Sequence, residues 1–401
     1  MDRKNKKIIM ISLVCCGLAL LLGAYFTWNR SSDSTPESKA VSQNMQPKKV
    51  ESSGTLKFVA MGDMLAHDSI VAQAKTANGY DFKPYFKNMR SVYQNADVVF
   101  CNPETIATGS TFGISGYPVF NAPSEFSGDL VGGAGCNLLN LATNHVNDRH
   151  QAGIDANLEN WEKQKNVLAF SGSNRSTAEQ NTIKYFTKNG VKVAFLAFAD
   201  YSNDKNLTDY GVNFYHDAAF VKRLMGEARA NADAVVVSAH WGTEDSNAVN
   251  ADQTAAAQLF ADSGADVVIG TGPHVLQPLR YVTTADGRKT LVWYSIGNML
   301  SSQLQVNELT GIIAGFTLTK QKTGGVSVSA PTAHITYMSY DWPAADKAAQ
   351  KLTTRSNLQL RTLAGSGNAV VNMFGGGYTQ AERESYVRST LGTETGVIIT
   401  P

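Results

Sequence analysis

Seven short apolar runs constrain the fold of this chain more than any other feature. They are Leu56–Met61, Val98–Cys101, Leu138–Ala142, Val193–Phe198, Ala234–Ala239, Val267–Ile269 and Leu291–Tyr294. Each is rich in Val, Ile, Leu or Ala and carries apolar side chains at odd and even positions alike. A strand must be apolar on both sides when both of its faces are covered. Between the runs, Tyr85–Gln94, Ile154–Gln164, Phe220–Asn231 and Asp252–Ser263 place apolar residues three and four apart, the spacing of a helix with one buried face. Strands alternating with helices predict a layered α/β fold.

The pattern changes after Gly311. Ile312–Thr319 and Val326–Ala330 alternate around Thr323-Gly324-Gly325, which predicts an antiparallel hairpin. The tail is more polar, and Ala344–Leu363 and Gln380–Leu391 read as helical. No internal repeat is present. The domain is expected to run from residue 55 to 330, with residues 331–401 as an extension packed on it.

Charge excludes one class of partner. Lys and Arg number 35 against 34 Asp and Glu, a net charge of +1. Nucleic-acid binding calls for a clustered basic surface, so no nucleic-acid partner is expected. There is no CxxC pair and hence no thiolate zinc site. Cys101 and Cys136 are read first as small buried residues on two strands, with a disulfide between them as the alternative.

The N-terminus predicts an anchor. Arg3, Lys4, Lys6 and Lys7 precede a run without charge from Ile8 to Trp28. About 20 apolar residues span a bilayer core as a helix, and the basic flank stays cytoplasmic. Residues 1–28 therefore read as a single transmembrane helix with everything after it outside the cell. A cleaved signal or a lipidated cysteine fits less well, because no small-x-small site follows the run and Cys15 and Cys16 lie in its middle. Residues 29–54, rich in Ser, Lys and Gln, read as a flexible tether.

The chemistry-bearing residues stand where the apolar runs end. The first run ends in Met61-Gly62-Asp63, the second leads to Asn102-Pro103-Glu104, and the third leads to Asn144-His145 with Asp148 behind. The fifth is followed by His240-Trp241-Gly242-Thr243-Glu244, the sixth by Gly270-Thr271-Gly272-Pro273-His274, and the seventh by Ser295-Ile296-Gly297-Asn298. Ligands of α/β sheets bind outside the carboxyl ends of the strands. Carboxylate, amide oxygen and imidazole together suit Mn, Fe or Zn, and two such ions about 4 Å apart can clamp a phosphoryl group and activate water. Any one of these residues alone could be a turn, a cap or a hydrogen-bonded core group; the repetition at successive strand ends is what points to a site. His67 and His150 follow the first and third runs closely and could support the ligands, whereas His216 and His334 match no pattern.

At these residues the chain resembles the CapA family of capsule synthesis proteins, named for poly-γ-glutamate capsule production. The resemblance runs from about Leu56 to Leu318 and includes Gly62-Asp63-Met64, Asn102-Pro103-Glu104, Asn144-His145, His240-Trp241-Gly242, Pro273-His274-Val275 and Tyr294-Ser295-Ile296-Gly297-Asn298. That family is similar in turn to calcineurin-like metallophosphoesterases. The resemblance implies a four-layer α/β/β/α sandwich with one or two divalent ions held by Asp63, Glu104, Asn144, His240 and His274. Glu104 would take the bridging position, and His145, with Asp148, the catalytic role near the leaving group. It also implies an anionic cell-surface polymer as partner, poly-γ-glutamate or a relative, together with the membrane and subunits of polymer synthesis or export. Two positions depart from the metallophosphoesterase pattern: Leu65 and Gly272 stand where histidines are usual. The resemblance therefore leaves open a one-ion site, a weak site, or a pocket that binds anionic polymer without hydrolysing it. A general phosphoesterase and a scaffold without catalysis are the competing readings.

Overall fold

The structure is a computed structural model and describes residues 52–374 and 378–401. The expected anchor and nearly all of the tether lie outside the described residues. Residues 52–54, taken above as the end of the tether, already belong to the first strand, which pairs Ser52 with Gln321. Among the described residues no helix is long and apolar enough to cross a membrane.

The described residues form one compact α/β unit. Its principal elements are β1 (Ser52–Met64), α1 (Asp68–Ala74), β2 (Val98–Pro103), β3 (Leu138–Asn140), α2 (His150–Glu162), β4 (Ala169–Ser171), β5 (Lys184–Lys188), β6 (Val191–Ala199) and α3 (Ala218–Asn231). They continue with β7 (Ala234–His240), α4 (Ala251–Asp262), β8 (Val267–Thr271), β9 (Leu279–Thr283), β10 (Lys289–Trp293), β11 (Asn298–Leu300), β12 (Thr310–Gln321), β13 (Val326–Asp341), β14 (Ser356–Thr362), α5 (Gln380–Leu391) and β15 (Ile398–Thr400).

The strands form two large sheets. One runs in the order β14-β13-β12-β1-β2-β3-β4, with β11 also paired to β1 and β15 to β13. The other runs β9-β10-β8-β7-β6-β5. The centre of each is parallel: β1 to β4 in the first, and β6, β7, β8 and β10 in the second.

The two-sided apolar runs are explained by which core each face enters. Along β6, Val193, Phe195 and Ala197 join the core shared with the first sheet, where Phe195 meets Phe100 of β2 at 6.2 Å between ring centroids. Ala194, Leu196 and Phe198 point the other way, into a second core closed by Val221, Leu224 and Met225 of α3 and Ala257 and Phe260 of α4. Successive side chains on a strand alternate faces, so one run serves two cores. On α2, Ile154, Leu158 and Trp161 enter the first core. Side-chain caps fix the helix starts: Asp217 accepts from Ala219 N and Phe220 N, and Asn250 with Gln253 forms a reciprocal capping box.

Four local expectations need correction. Ala344–Leu363 is helical only over Ala344–Ala348, and its end is β14, whose Leu358 and Leu360 are buried while their neighbours alternate outward. The edge of β13 supplies the backbone partners that turn this period-two segment into a strand. Tyr85–Gln94 is not one helix: a 3-10 turn at Lys83–Phe86 and a single α-turn at Arg90–Tyr93 replace it. Cys101 and Cys136 are not independent buried thiols; they form a disulfide, with Cα atoms 5.7 Å apart. Cys136 precedes β3 rather than lying on it, and the pairing of Cys101 with Leu139 brings the two cysteines side by side. β13 also runs through the expected boundary at residue 330, so the tail adds strands to the first sheet.

The disulfide closes a loop with a sequence separation of 35. Replacing both cysteines by alanine is expected to cost about 3–4 kcal/mol, or roughly 5–10 °C in Tm. Melting with and without reductant checks this: reductant should lower the Tm of the wild type and leave the double variant unchanged.

Candidate metal centre

The carboxyl ends of both parallel centres meet at one edge. At the end of β1, Asp63 is fully buried, held by its own N–H on Gly297 O at 3.1 Å. Gly62 before it leaves no alternative, since a Cβ there would lie 1.8 Å from the same carbonyl oxygen. Glu104 follows β2 and is 1% exposed. His240 ends β7, aligned across the ladder with Thr271 of β8. His274 follows β8 with φ +61°, a left-handed conformation rare outside glycine.

Asp63, Glu104 and His240 bring one ligand atom each within 4.8 Å of one another. His274 flanks the same two carboxylates: its Nδ1 is 3.2 Å from Asp63 Oδ2 and its Nε2 is 3.7 Å from Glu104 Oε1. His240 Nε2 is 3.7 Å from that Glu104 oxygen and 2.9 Å from Asn144 Oδ1. All five candidate ligands therefore converge.

Asp63 is fully engaged. Oδ1 accepts from Asn102 Nδ2 at 2.5 Å, and Oδ2 accepts from the Gly272 backbone N–H at 3.1 Å. Asn102 is itself held by Asn140 Nδ2 at 2.6 Å. Glu104 is the opposite case: both of its carboxylate oxygens are buried without a hydrogen-bond partner among the described residues. A buried acidic oxygen normally has partners. An orphaned pair facing two imidazoles is the arrangement a cation would complete.

The electrostatics agree. Burial pushes the Glu104 carboxyl well up, against the pull of His274. Burial opposes Asp63 too, but the hydrogen bond and charge of His274, with His240 and the Gly272 N–H, hold it below the usual range. Burial would lower His274, yet Glu104 and Asp63 outweigh it and raise the imidazole to about 10. His240 is pushed down to about 4, chiefly by burial.

His145 and Asp148 form a neighbouring pair, with Nδ1 2.8 Å from Asp148 Oδ2, which also accepts from Phe120 N at 2.6 Å. The Phe120 ring edge packs on His145 at 4.7 Å and on His67 at 5.4 Å. His67 thus borders the site. His150 does not: it is exposed and faces Asp204 at 3.3 Å. His216 pairs with Asp200 at the surface, and His334 lies within β13.

Sequence reasoning missed Asn140 and Asn203. Asn140 had a visible signal, a lone amide inside the apolar run Leu138–Ala142. Asn203, whose Nδ2 lies 3.2 Å from His145 Nε2, had none, because it comes from the loop after β6 in the other sheet.

A comparison with known families decides the relationship. The profile described as "Bacterial capsule synthesis protein PGA_cap" matches residues 57–303. The chain belongs to this family. Among PGA_cap relatives, the PGA biosynthesis protein CapA of Bacillus subtilis (strain 168) is 32% identical over 202 residues, 49% of this chain and 51% of that protein. The match thus spans about half the length of that relative. The capsule biosynthesis protein CapA of Bacillus anthracis is 24% identical over 310 residues, 75% of this chain and 70% of the relative. Of solved structures, the NAD nucleotidase of Haemophilus influenzae aligns with a TM-score of 0.43 and 12% identity, covering 84% of this chain and 59% of that one. The 5'-nucleotidase of Candida albicans SC5314 aligns at 0.35 and 14%, covering 71% and 52%. With both TM-scores below 0.5, neither assigns this chain a function.

Beside the centre, Glu308 is 6% exposed and accepts from Leu304 N at 2.9 Å and Gln305 N at 2.5 Å. Burial raises its carboxyl from 4.5 to about 7, with the charge of Asp245 adding to the rise. The unfolded chain therefore releases this proton first. Its contribution to stability is full below about pH 4.5 and is lost as pH rises through about 7. Glu308→Gln keeps the acceptor oxygen and should abolish this decline. In melts at pH 5 and pH 7.5, the variant should gain a few degrees on the wild type at the higher pH only.

Proposed function

We propose that this protein is a membrane-anchored, extracytoplasmic factor of capsule or poly-γ-glutamate-type polymer biosynthesis or export, carrying a metal-dependent phosphoesterase-type centre. The orphaned Glu104 carboxylate between His240 and His274 carries the reading. Family membership supports the capsule role. The uncharged run Ile8–Trp28 behind a basic cluster supports the anchor, and the Cys101–Cys136 disulfide suits an oxidising compartment. Two facing sheets with helices against them support a metallophosphoesterase-like sandwich.

The donor set is carboxylate, imidazole and amide oxygen, which fits Mn, Fe or Zn. Asp63, Glu104, Asn144, His240 and His274 would hold the ion. When bound, such an ion acidifies a coordinated water and polarises a phosphoryl oxygen. The protein's own part is orientation and proton handling. Asp148 engages the His145 imidazole through Nδ1, so that Nε2, which lies 3.2 Å from Asn203 Nδ2, is the nitrogen that would take or give a proton at a leaving oxygen.

We infer that the site holds one ion. Gly272 occupies a usual histidine position with φ +107°, and a Cβ there would lie 2.8 Å from Trp241 O. Its N–H is spent on Asp63, so position 272 supplies a hydrogen-bond donor where an imidazole ligand is usual. The same observation favours a second reading, a centre that binds anionic polymer without turnover. Elemental analysis of the purified protein, coupled to phosphodiester turnover, separates the readings. One equivalent of divalent metal with turnover supports the first reading, polymer binding without turnover supports the second, and absence of metal removes the first.

A further inference from the structure

Arg355 is a buried cation without a counter-ion. It lies just before β14, is 7% exposed, and forms no ion pair with any described residue. Its Nε donates to Leu352 O at 2.8 Å, while Nη1 is buried without a partner among the described residues. The guanidinium sits 5.2 Å from the Tyr340 ring centroid and 5.7 Å from that of Trp342. Aromatic faces offset only part of what burying an unpaired charge costs. Asp68 lies within the field of Arg355, but no carboxylate of the described residues comes within ion-pair distance of the guanidinium.

A charge interaction and a relay of contacts connect this cation to the candidate metal centre. On one side its charge reaches His67, whose imidazole burial and Arg355 together push down to about 3. His67 packs on Phe120, and Phe120 on His145. On the other side Tyr340 Oη donates to Gln303 O at 2.9 Å. The Gln303 side chain accepts from Asn298 Nδ2 at 2.5 Å, and Asn298 Oδ1 faces His274 Nδ1 at 3.1 Å. Arg355 lies beyond residues 57–303, the part of the chain matched by the family.

We propose that Arg355 is the anion-binding residue of a substrate subsite beside the carboxylate–histidine cluster. Its ligand is an oxyanion, a carboxylate of a γ-glutamyl chain or a phosphate, for which a guanidinium fork is the matching donor. The choice between those two rests on the capsule reading above; the existence of the subsite does not.

The test uses the full-length chain with chelator present, so that anion binding is read apart from metal. Melting is followed with inorganic phosphate and, separately, with a γ-linked glutamate oligomer, for the wild type, Arg355→Met and Arg355→Lys. Without anion, Arg355→Met should melt at or above the wild-type temperature, since it loses an unpaired buried charge. One of the two anions should raise the wild-type Tm by several degrees and leave Arg355→Met unmoved, and which anion does so identifies the ligand. A wild type that neither anion shifts overturns the proposal, as does an Arg355→Met that keeps the shift. If Arg355→Met does not fold, Arg355→Lys decides: anion binding at least about tenfold weaker supports the proposal, and equal binding overturns it. Metal analysis of the same samples without chelator keeps the two ideas separate. An anion shift that depends on Arg355 in a protein that binds no metal removes the metal centre and leaves the subsite. Loss of metal from Arg355→Met would make the residue a support of the cluster instead.

Discussion

Glu104→Ala and His240→Ala will each lower metal affinity by more than about a hundredfold, beyond the 10–100-fold that losing a supporting partner costs. Their stabilities should part in a way a structural role would not produce. The Glu104 carboxylate has no hydrogen-bond partner to lose among the described residues, and its charged neighbours His240 and His274 stand 3.7 Å away, so the metal-free Tm should change little. His240→Ala gives up contacts to Asn144 and Thr271 and should lower Tm by a few degrees. Chelation should lower the wild-type Tm, because a ligand bound only by the folded state stabilises it, and should leave both variants unchanged. Elemental analysis and paired melts on the three proteins give the result. Variants that retain metal would end the metal-centre reading, and variants that retain surface polymer would separate metal from capsule function.

Restoring the usual histidine at position 272 will not create a second metal site but will destabilise the protein by about 2–6 kcal/mol. Two effects add. A residue other than glycine at φ +107° is strained by about 1–3 kcal/mol. The new Cβ would also lie 2.8 Å from Trp241 O and 3.3 Å from His240 Nε2, and overpacking of that kind costs about 1–3 kcal/mol. Gly272→Ala meets the same backbone conflict, so it too should melt well below the wild type. Thermal melts and metal stoichiometry check this. A Gly272→His protein with wild-type Tm and two bound ions would overturn the one-ion reading.

Much of the centre was legible in the sequence because a strand ends at a defined residue. Asp63, Glu104, Asn144, His240 and His274 each stand within a few residues of the end of a buried run, and parallel strands deliver their ends to the same edge. The strands themselves were legible because both of their faces are covered. What stayed hidden lies between segments far apart in the chain. The period-two residues of β14 read as helix until the edge of β13 paired with them. The partnership of Cys101 and Cys136 needed β2 and β3 side by side.

Local composition and periodicity by themselves determined the α/β class, the seven buried strands and three of the four helices read between them, and the residue types gathered at the strand ends. These follow from short-range rules, the alternation of faces along a strand and the three-to-four spacing of a helix. Only the tertiary structure decided that the strands divide into two facing sheets, that the Glu104 carboxylate has no hydrogen-bond partner among the described residues, that Gly272 has no room for a side chain, and that Arg355 is buried against Tyr340 and Trp342. Each of these depends on distances between residues tens to hundreds of positions apart, and hydrophobic patterning, being non-directional, carries no information about such distances.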